Sequence, residues 1–176
     1  MEACALTDVG QKRSMNQDFI YASTEPVGSL ENLFIVADGM GGHQAGDFAS
    51  RFVVENLVRF FETPYPDRDV HGILKEGIRK VNRELYERAS KTPELNGTGS
   101  TLVLATIKGN VLYVANIGDS RLYLLRGELE QITKDHSYVE ELVAMGKLKR
   151  GSRDYMEKKN IITRAVGVSE EVDTDL

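Results

Sequence analysis

Residues 33–43 constrain this chain most, because a short apolar run passes directly into an acidic, glycine-rich turn. Leu33 to Ala37 are enough residues for one buried strand and too few for a typical helix. The sequence Asp38-Gly39-Met40-Gly41-Gly42-His43 follows at once. A strand that ends in Asp-Gly holds one carboxylate at a fixed place, and the glycines let the backbone come close to whatever the turn faces. The segment therefore predicts a rigid acidic corner.

The rest of the chain predicts strands, then two helices, then strands again. Apolar residues at three- and four-residue spacings indicate helices over about 45–62 and 70–91. A capping box at Ser137 and Glu140 predicts a short helix to about Met145. Short β-rich segments bounded by turn residues predict strands at 3–9, 18–24, 33–37, 101–107, 111–117 and 121–125, the last three as an antiparallel meander. This order is typical of an α+β or layered sandwich fold.

Size and composition predict one globular domain over residues 1–176. Lys plus Arg number 22 and Asp plus Glu 27, a net charge of -5 that argues against a nucleic-acid-binding surface. The single cysteine, Cys4, is predicted to be buried in the first strand, and it favours a reducing, cytoplasmic setting. No apolar run approaches the roughly 18 residues of a membrane span. Residues 146–160 are basic and poor in apolar side chains, which predicts an exposed, mobile excursion.

Three carboxylates stand where predicted strands give way to turns: Asp18, Asp38 and Asp119. Three histidines and one cysteine in the chain argue against a zinc site of the His/Cys type. Oxygen ligands suit Mg²⁺ or Mn²⁺ instead, and such ions keep several waters and need few carboxylates. An Asp at a turn is commonly a turn former only. Asp38 is the stronger candidate ligand, because three glycines nearby lower the stability of a fold unless its structure or function requires them.

Other glycine-loop and nucleophile motifs do not fit. The glycines after Asp38 do not match G-x-G-x-x-G, because position 44 is Gln. The chain contains no Walker A loop and no G-x-S-x-G nucleophile elbow. Dinucleotide binding, P-loop chemistry and serine-hydrolase chemistry are therefore disfavoured.

Five motifs together resemble a known family. They are RSMNQD at 13–18, DGMGGH at 38–43, GTGST at 97–101, GDSR at 118–121 and DHS at 135–137. Their order and spacing resemble the PPM family of metal-dependent, PP2C-type Ser/Thr protein phosphatases, in its compact bacterial branch. The segment ITRAVG at 162–167 is similar to a further family segment.

This resemblance implies an α-β-β-α sandwich of two antiparallel sheets flanked by helices, with a metal centre at one end of the sheets. Asp38 would bridge two Mn²⁺ or Mg²⁺ ions, and Gly39 would give its main-chain carbonyl to one of them. Asp18 would lie in the surrounding shell, and Asp119 would help to bind a third, weaker metal. Arg13 would hold the substrate phosphate, and residues 146–160 would form the flap beside the cleft.

The resemblance also implies a mechanism, in which a metal-activated water attacks the phosphorus of phosphoserine or phosphothreonine. Animal relatives carry a histidine directly after Asp-Gly, where this chain has Met40. His43 is therefore the candidate general acid, and His136 is a weaker one because DHS also suits a helix entry. The expected partners are proteins phosphorylated by Ser/Thr kinases.

Family members continue for some tens of residues beyond the last motif matched here. That part carries a second Asp-Gly motif and an Asp-Asn motif that complete the metal site, and neither occurs after residue 167 of this chain. We therefore expect a phosphatase domain that lacks its last strands, is inactive or weakly active alone, and self-associates through exposed sheet edges. The alternative from another functional class is a non-catalytic regulatory or binding module with the same fold.

Overall fold

Two antiparallel sheets and four α-helices form the structure, a computed structural model that describes residues 1–42, 44–65 and 68–176. The strands are β1 (Asp18–Ser23), β2 (Leu33–Met40), β3 (Gly99–Ser100), β4 (Leu102–Lys108), β5 (Val111–Ile117), β6 (Tyr123–Arg126) and β7 (Glu128–Gln131). The helices are α1 (Ala45–Glu62), α2 (Val70–Lys91), α3 (Tyr138–Ala144) and α4 (Arg153–Lys158). The predicted α+β class is confirmed.

The larger sheet has the strand order β1-β2-β4-β5, and β3 pairs with the end of β2. The register of β1 on β2 runs from Ser23 opposite Leu33 to Asp18 opposite Asp38. Every neighbouring pair is antiparallel. This register places the two aspartates side by side at the end of the sheet where β2 passes into the glycine-rich turn.

Helices α1 and α2 cover one face of the larger sheet. Leu33, Ile35 and Ala37 alternate along β2 and are buried against this layer. Leu57 of α1 and Leu74 of α2 are fully buried in the same core. Each such leucine stabilises the fold by roughly 1.5–3 kcal/mol through the apolar surface that it removes from water. The bounds of both helices agree with the predicted ones.

The opposite face of this sheet is also apolar. Ile20, Val36 and Val103 form one row across β1, β2 and β4. Phe34 of β2 lies opposite Ala105 of β4 on the same face. Val36 nevertheless keeps 46% of its surface exposed. A sheet with two apolar faces is typical of the inner layers of a sandwich, because each face needs a packing partner. The outer face thus fits the predicted sandwich architecture.

Two of the strand predictions are wrong: one strand does not form, and the other is shifted and pairs with a different strand. Residues 3–9 form no strand and are exposed, including Cys4, because no strand in the described part of the chain pairs with them. The predicted strand at 121–125 is shifted to β6, and β6 pairs with β7 in a separate hairpin rather than with β5. The meander therefore ends at β5.

The basic segment 146–160 is exposed, as predicted, but it is more ordered than an irregular excursion. It contains α4, which begins where the Ser152 side chain accepts a hydrogen bond from the Tyr155 amide. Glu140 of α3 ties the segment down, because its carboxylate accepts hydrogen bonds from the Tyr155 hydroxyl at 2.7 Å and from the Arg150 guanidinium. The Arg150 contact is the main reason that the pKa of Glu140 is lowered. Within the described residues, no helix combines the length and the apolar character needed to cross a bilayer.

Candidate metal centre

A polar cavity of about 480 Å³ lies at the end of the larger sheet where β1 begins and β2 ends. It collects all the predicted site residues that the structure describes: Arg13, Asp18, Asp38, Gly39 and Asp119. The sixth, His43, lies outside the described residues. Further residues line the cavity that the sequence did not single out as site residues, among them Asp8, Thr101 and Asn160. Asn160 shows that the end of the 146–160 segment reaches the cavity.

Asp18 and Asp38 are the central pair of this cavity. They are direct partners on adjacent antiparallel strands, and such partners hold their Cβ atoms about 5 Å apart on one face of the sheet. Two carboxylates at that separation repel each other unless a proton or a cation lies between them. The chain thus places two acidic oxygen donors where a positively charged group is needed.

The pKa of Asp38 reports this shortage of positive charge. It is raised from 3.8 to about 6, first by partial burial of the carboxyl in the cleft and then by the charges of Asp18 and Asp119. A hydrogen bond with Asp18 also favours the protonated form, and only nearby Arg13 lowers the pKa. Without a bound cation, the site therefore takes up a proton at mildly acidic pH.

Asp119 enters the same cavity from the turn after β5. Burial is the main cause that raises the pKa of its carboxyl, with a further contribution from Asp135. Arg121, in the same turn, binds Asp135 through two nitrogens, with N–O distances of 2.6–3.0 Å. This ion pair holds the far side of the turn.

Thr101 links the Asp38 strand to the Asp119 turn. The Asp38 amide donates to the Thr101 hydroxyl oxygen at 2.9 Å, and that hydroxyl lies 2.7 Å from the Ser120 hydroxyl. The hydroxyl that accepts from Asp38 remains free to donate to Ser120. Thr101, between β3 and β4, thus fixes the Asp38 strand against the Asp119 turn.

The glycines near Asp38 are needed mainly because helix α1 packs closely against β2. A Cβ added at Gly39 would lie 1.8 Å from the Gly46 carbonyl oxygen. Gly41 has φ of +152° and faces the Thr98 hydroxyl, whereas a Cβ added at Gly42 would meet nothing within 4 Å. The sequence correctly indicated a close approach to the backbone at Gly39, and the approaching group is the start of a helix.

The described histidines do not supply a general acid. His71 lies exposed on α2. His136 is only 5% exposed, and both of its ring nitrogens have partners. Neither lines the cavity. The weaker candidate, His136, therefore lies in the wrong place for proton transfer to a substrate in this cleft.

The oxygen atoms that line the cavity are of the chemical type that binds hard cations. The cavity offers carboxylate oxygens from Asp18, Asp38 and Asp119 and main-chain oxygens, which are the ligands that Mg²⁺ and Mn²⁺ prefer. Within the described residues, no three His, Cys, Asp or Glu side chains lie close enough together to hold a metal by themselves. Such a cation would therefore need water or other oxygen atoms for most of its coordination positions.

The chain is similar to a known protein family and to individual proteins of that family. The family model described as Protein phosphatase 2C matches residues 8–142. The chain is 37% identical to the Serine/threonine phosphatase stp of Listeria monocytogenes, with 99% of the chain and 70% of that protein covered. It is 38% identical to Protein phosphatase PhpP of Streptococcus pneumoniae, with 99% and 71% covered.

Solved structures agree with these relatives. The Serine/threonine phosphatase Stp1 from Staphylococcus aureus superposes with a TM-score of 0.87 at 34% identity, covering 97% of this chain and 67% of that one. The Streptococcus agalactiae serine/threonine phosphatase gives 0.86 at 37% identity, with 97% and 70% covered. The sequence relatives and structural neighbours named here are all bacterial serine/threonine or protein phosphatases.

Proposed function

The chain belongs to the protein phosphatase 2C family of bacterial Ser/Thr protein phosphatases, and from this premise we propose that its acidic cavity hydrolyses phosphoserine and phosphothreonine by means of a metal-activated water. The placement of Asp18 directly opposite Asp38 in that cavity carries the proposal. Two close carboxylates are costly for a fold and are typical of sites that bind cations.

Four residues are proposed to form the metal centre, three as ligands and one in the surrounding shell. Asp38 and the Gly39 carbonyl would hold two Mn²⁺ or Mg²⁺ ions, Asp18 would act in the surrounding shell, and Asp119 would serve a third, weaker site. When bound, such ions lower the pKa of a coordinated water and neutralise charge on the phosphoryl oxygens. The Thr101 hydroxyl supports this set by fixing the strand of Asp38 relative to the Asp119 turn.

Arg13 is the proposed phosphate-binding residue. It is exposed at the rim of the cavity and close enough to Asp38 to lower the pKa of that carboxyl. Its guanidinium group can donate two parallel hydrogen bonds to phosphoryl oxygens, and it offsets the negative charge that the aspartates present to a phosphate. His43 remains our candidate for the general acid that protonates the leaving oxygen.

Segment 146–160 is the proposed flap, because its end at Asn160 lines the cavity while Glu140 anchors its helix. The substrates would be proteins phosphorylated by Ser/Thr kinases. A cytoplasmic location is proposed from the single cysteine in 176 residues.

The described chain alone should be a weak catalyst, since its carboxylates leave most metal positions to water. With p-nitrophenyl phosphate and Mn²⁺, we expect turnover below about 1 s⁻¹, the lower end of the usual enzyme range. Phosphate release should stop when a chelator removes Mn²⁺ and should be absent in Asp38→Ala. Turnover at an ordinary rate would contradict the expected weakness, and release that survives chelation would contradict the metal mechanism.

The second candidate, a non-catalytic binding module, is kept because the described residues lack a complete metal cluster. Such a module would bind phosphoproteins without Mn²⁺ and without releasing phosphate. Mn²⁺ uptake that depends on Asp38 would exclude it.

Self-association is proposed through the outer edge of β5, where no strand of the described residues pairs with positions 111–114. The amide and carbonyl of Asn116 point away from β4 and pair with Asp175. Alternate residues of a strand direct these groups to the same side, so those of Leu112 and Val114 also point away from β4. Val111 and Leu112 are also exposed. We expect a dimer that forms with increasing concentration in sedimentation and is weakened by Leu112→Lys, since an edge lysine opposes strand pairing. Leu125→Lys, at an exposed site on β6, is the control, and a monomer at every concentration would refute the interface.

A further inference from the structure

His136 is a buried histidine between the Asp119 turn and helix α3, and the mechanism above leaves it without a role. Its main-chain amide donates to the Gly118 carbonyl at 2.9 Å. The Gly118 amide in turn donates to Nδ1 of the imidazole at 3.1 Å. Both main-chain polar groups of the residue before Asp119 are therefore held by His136.

Gly118 gives the turn little room to adjust. Its φ is +100°, and a Cβ there would lie 2.7 Å from the Thr101 side chain. The turn is thus packed against the same threonine that supports the Asp38 strand, while His136 fixes its hydrogen-bonding groups. A change at His136 should move Asp119 relative to Asp38.

The imidazole has one consistent tautomer. Because Nδ1 accepts the Gly118 hydrogen bond, the proton of the neutral ring lies on Nε2, which donates to an Asp175 carboxylate oxygen at 3.0 Å. Arg164 therefore cannot donate to Nε2, although it lies 3.3 Å away, and its partner is the other Asp175 oxygen at 2.9 Å.

Asp175 is itself fixed in place. Its amide and carbonyl pair with those of Asn116 at 3.1 and 2.9 Å, two residues before Gly118. Burial acts to raise the pKa of Asp175, but the hydrogen bonds from His136 and Arg164 outweigh it and lower the pKa. An ionised Asp175 thus orients the ring of His136.

We propose that His136 is a positioning residue, which Asp175 orients and which fixes the Gly118–Asp119 turn so that the Asp119 carboxylate faces the cavity. This inference rests on the proposed function through the assignment of Asp119 to the metal site. Its chemistry is that of a carboxylate–histidine pair that orders a ligand loop from behind.

Two substitutions separate positioning from general stability. In His136→Asn the amide oxygen replaces Nδ1 and can still accept from Gly118, whereas in His136→Gln the amide reaches the Nε2 position and leaves the Gly118 amide without its acceptor. We expect hydrogen exchange of the Gly118 amide to rise about tenfold or more in His136→Gln and to stay near native in His136→Asn. His71→Asn, at the exposed histidine on α2, controls for loss of an imidazole.

Mn²⁺ affinity, measured by calorimetry, should follow the same order. We expect about a tenfold loss at the weaker site in His136→Gln and at most a threefold loss in His136→Asn. Thermal unfolding of both variants shows whether affinity merely follows stability. Equal exchange and equal affinity in the two variants would overturn the proposal. If the native protein takes up no Mn²⁺, the proposed function fails, and the exchange comparison still decides whether His136 holds the turn.

Discussion

Asp38→Asn is expected to stabilise the metal-free protein at pH 7.5 and to remove its response to Mn²⁺. The pKa of Asp38 is raised to about 6 by burial and by the charges of Asp18 and Asp119, so the ionised form is disfavoured in the folded state. A shift of two pKa units corresponds to about 3 kcal/mol for a shielded group. Because the cleft leaves part of the Asp38 side chain in contact with solvent, screening reduces the expected gain to roughly 1 kcal/mol, or about 2–4 °C in Tm.

The sign of the pH dependence follows from this shift. The folded state binds the Asp38 proton more tightly than the unfolded state, whose pKa is about 3.8. The metal-free protein therefore loses stability as the pH rises from about 4 through 6, and the loss is complete above that range. The difference in free energy of unfolding between Asp38→Asn and the native protein should grow over the same interval. Urea unfolding at a series of pH values with a chelator present measures it.

Mn²⁺ should reverse the order of the two proteins. At a free Mn²⁺ concentration a hundred times the Kd, binding stabilises the native protein by about 2.7 kcal/mol and leaves Asp38→Asn unchanged. Glu130→Gln is the matched control, because Glu130 is an exposed carboxylate on β7 outside the cavity. An Asp38→Asn variant that is less stable than the native protein without metal would show that Asp38 has a structural role instead.

Gly39→Ala should destabilise the fold by about 3 kcal/mol, at the upper end of overpacking effects. The Cβ added on β2 would lie 1.8 Å from the Gly46 carbonyl oxygen, which belongs to the backbone of α1 and cannot rotate away as a side chain could. Relief requires the start of α1 to move away from the strand that carries Asp38. Urea unfolding of the metal-free protein measures the loss, and Mn²⁺ affinity should fall with it.

Gly42→Ala provides the control for this prediction within the same motif. A Cβ at Gly42 meets nothing within 4 Å, and its φ lies outside the region that favours glycine. We expect a change in the free energy of unfolding within about 0.5 kcal/mol, as for an ordinary surface substitution. Equal losses in the two variants would show that the close packing at Gly39 does not explain the glycine there.

The features predicted correctly from the sequence are those that short stretches specify. The apolar spacings of α1 and α2 define both helices, because their buried faces repeat along the chain. The acidic corner at Asp38 also follows from one segment, since a strand and a glycine turn are both local patterns. That Arg13, Asp18 and Asp119 lie close to Asp38 was expected only from the family resemblance.

The features that were missed depend on contacts between distant residues. Residues 3–9 have a strand-like composition, yet a strand needs a hydrogen-bonded neighbour that composition does not reveal. The hairpin partner of β6 and the anchoring of α4 by Glu140 are likewise set by tertiary packing. His136 was interpreted as a helix entry or an acid. Its contacts with Gly118 and Asp175 bring together positions 18 and 39 residues apart.

Calorimetric titration of Mn²⁺ into the metal-free protein at pH 7.5 tests most directly whether the Asp18–Asp38 cavity is a metal site. We predict saturable uptake by the native protein and by Glu130→Gln, and none by Asp38→Asn. The same uptake by Asp38→Asn would place the metal elsewhere. The absence of uptake by the native protein would contradict metal-dependent hydrolysis in this cavity.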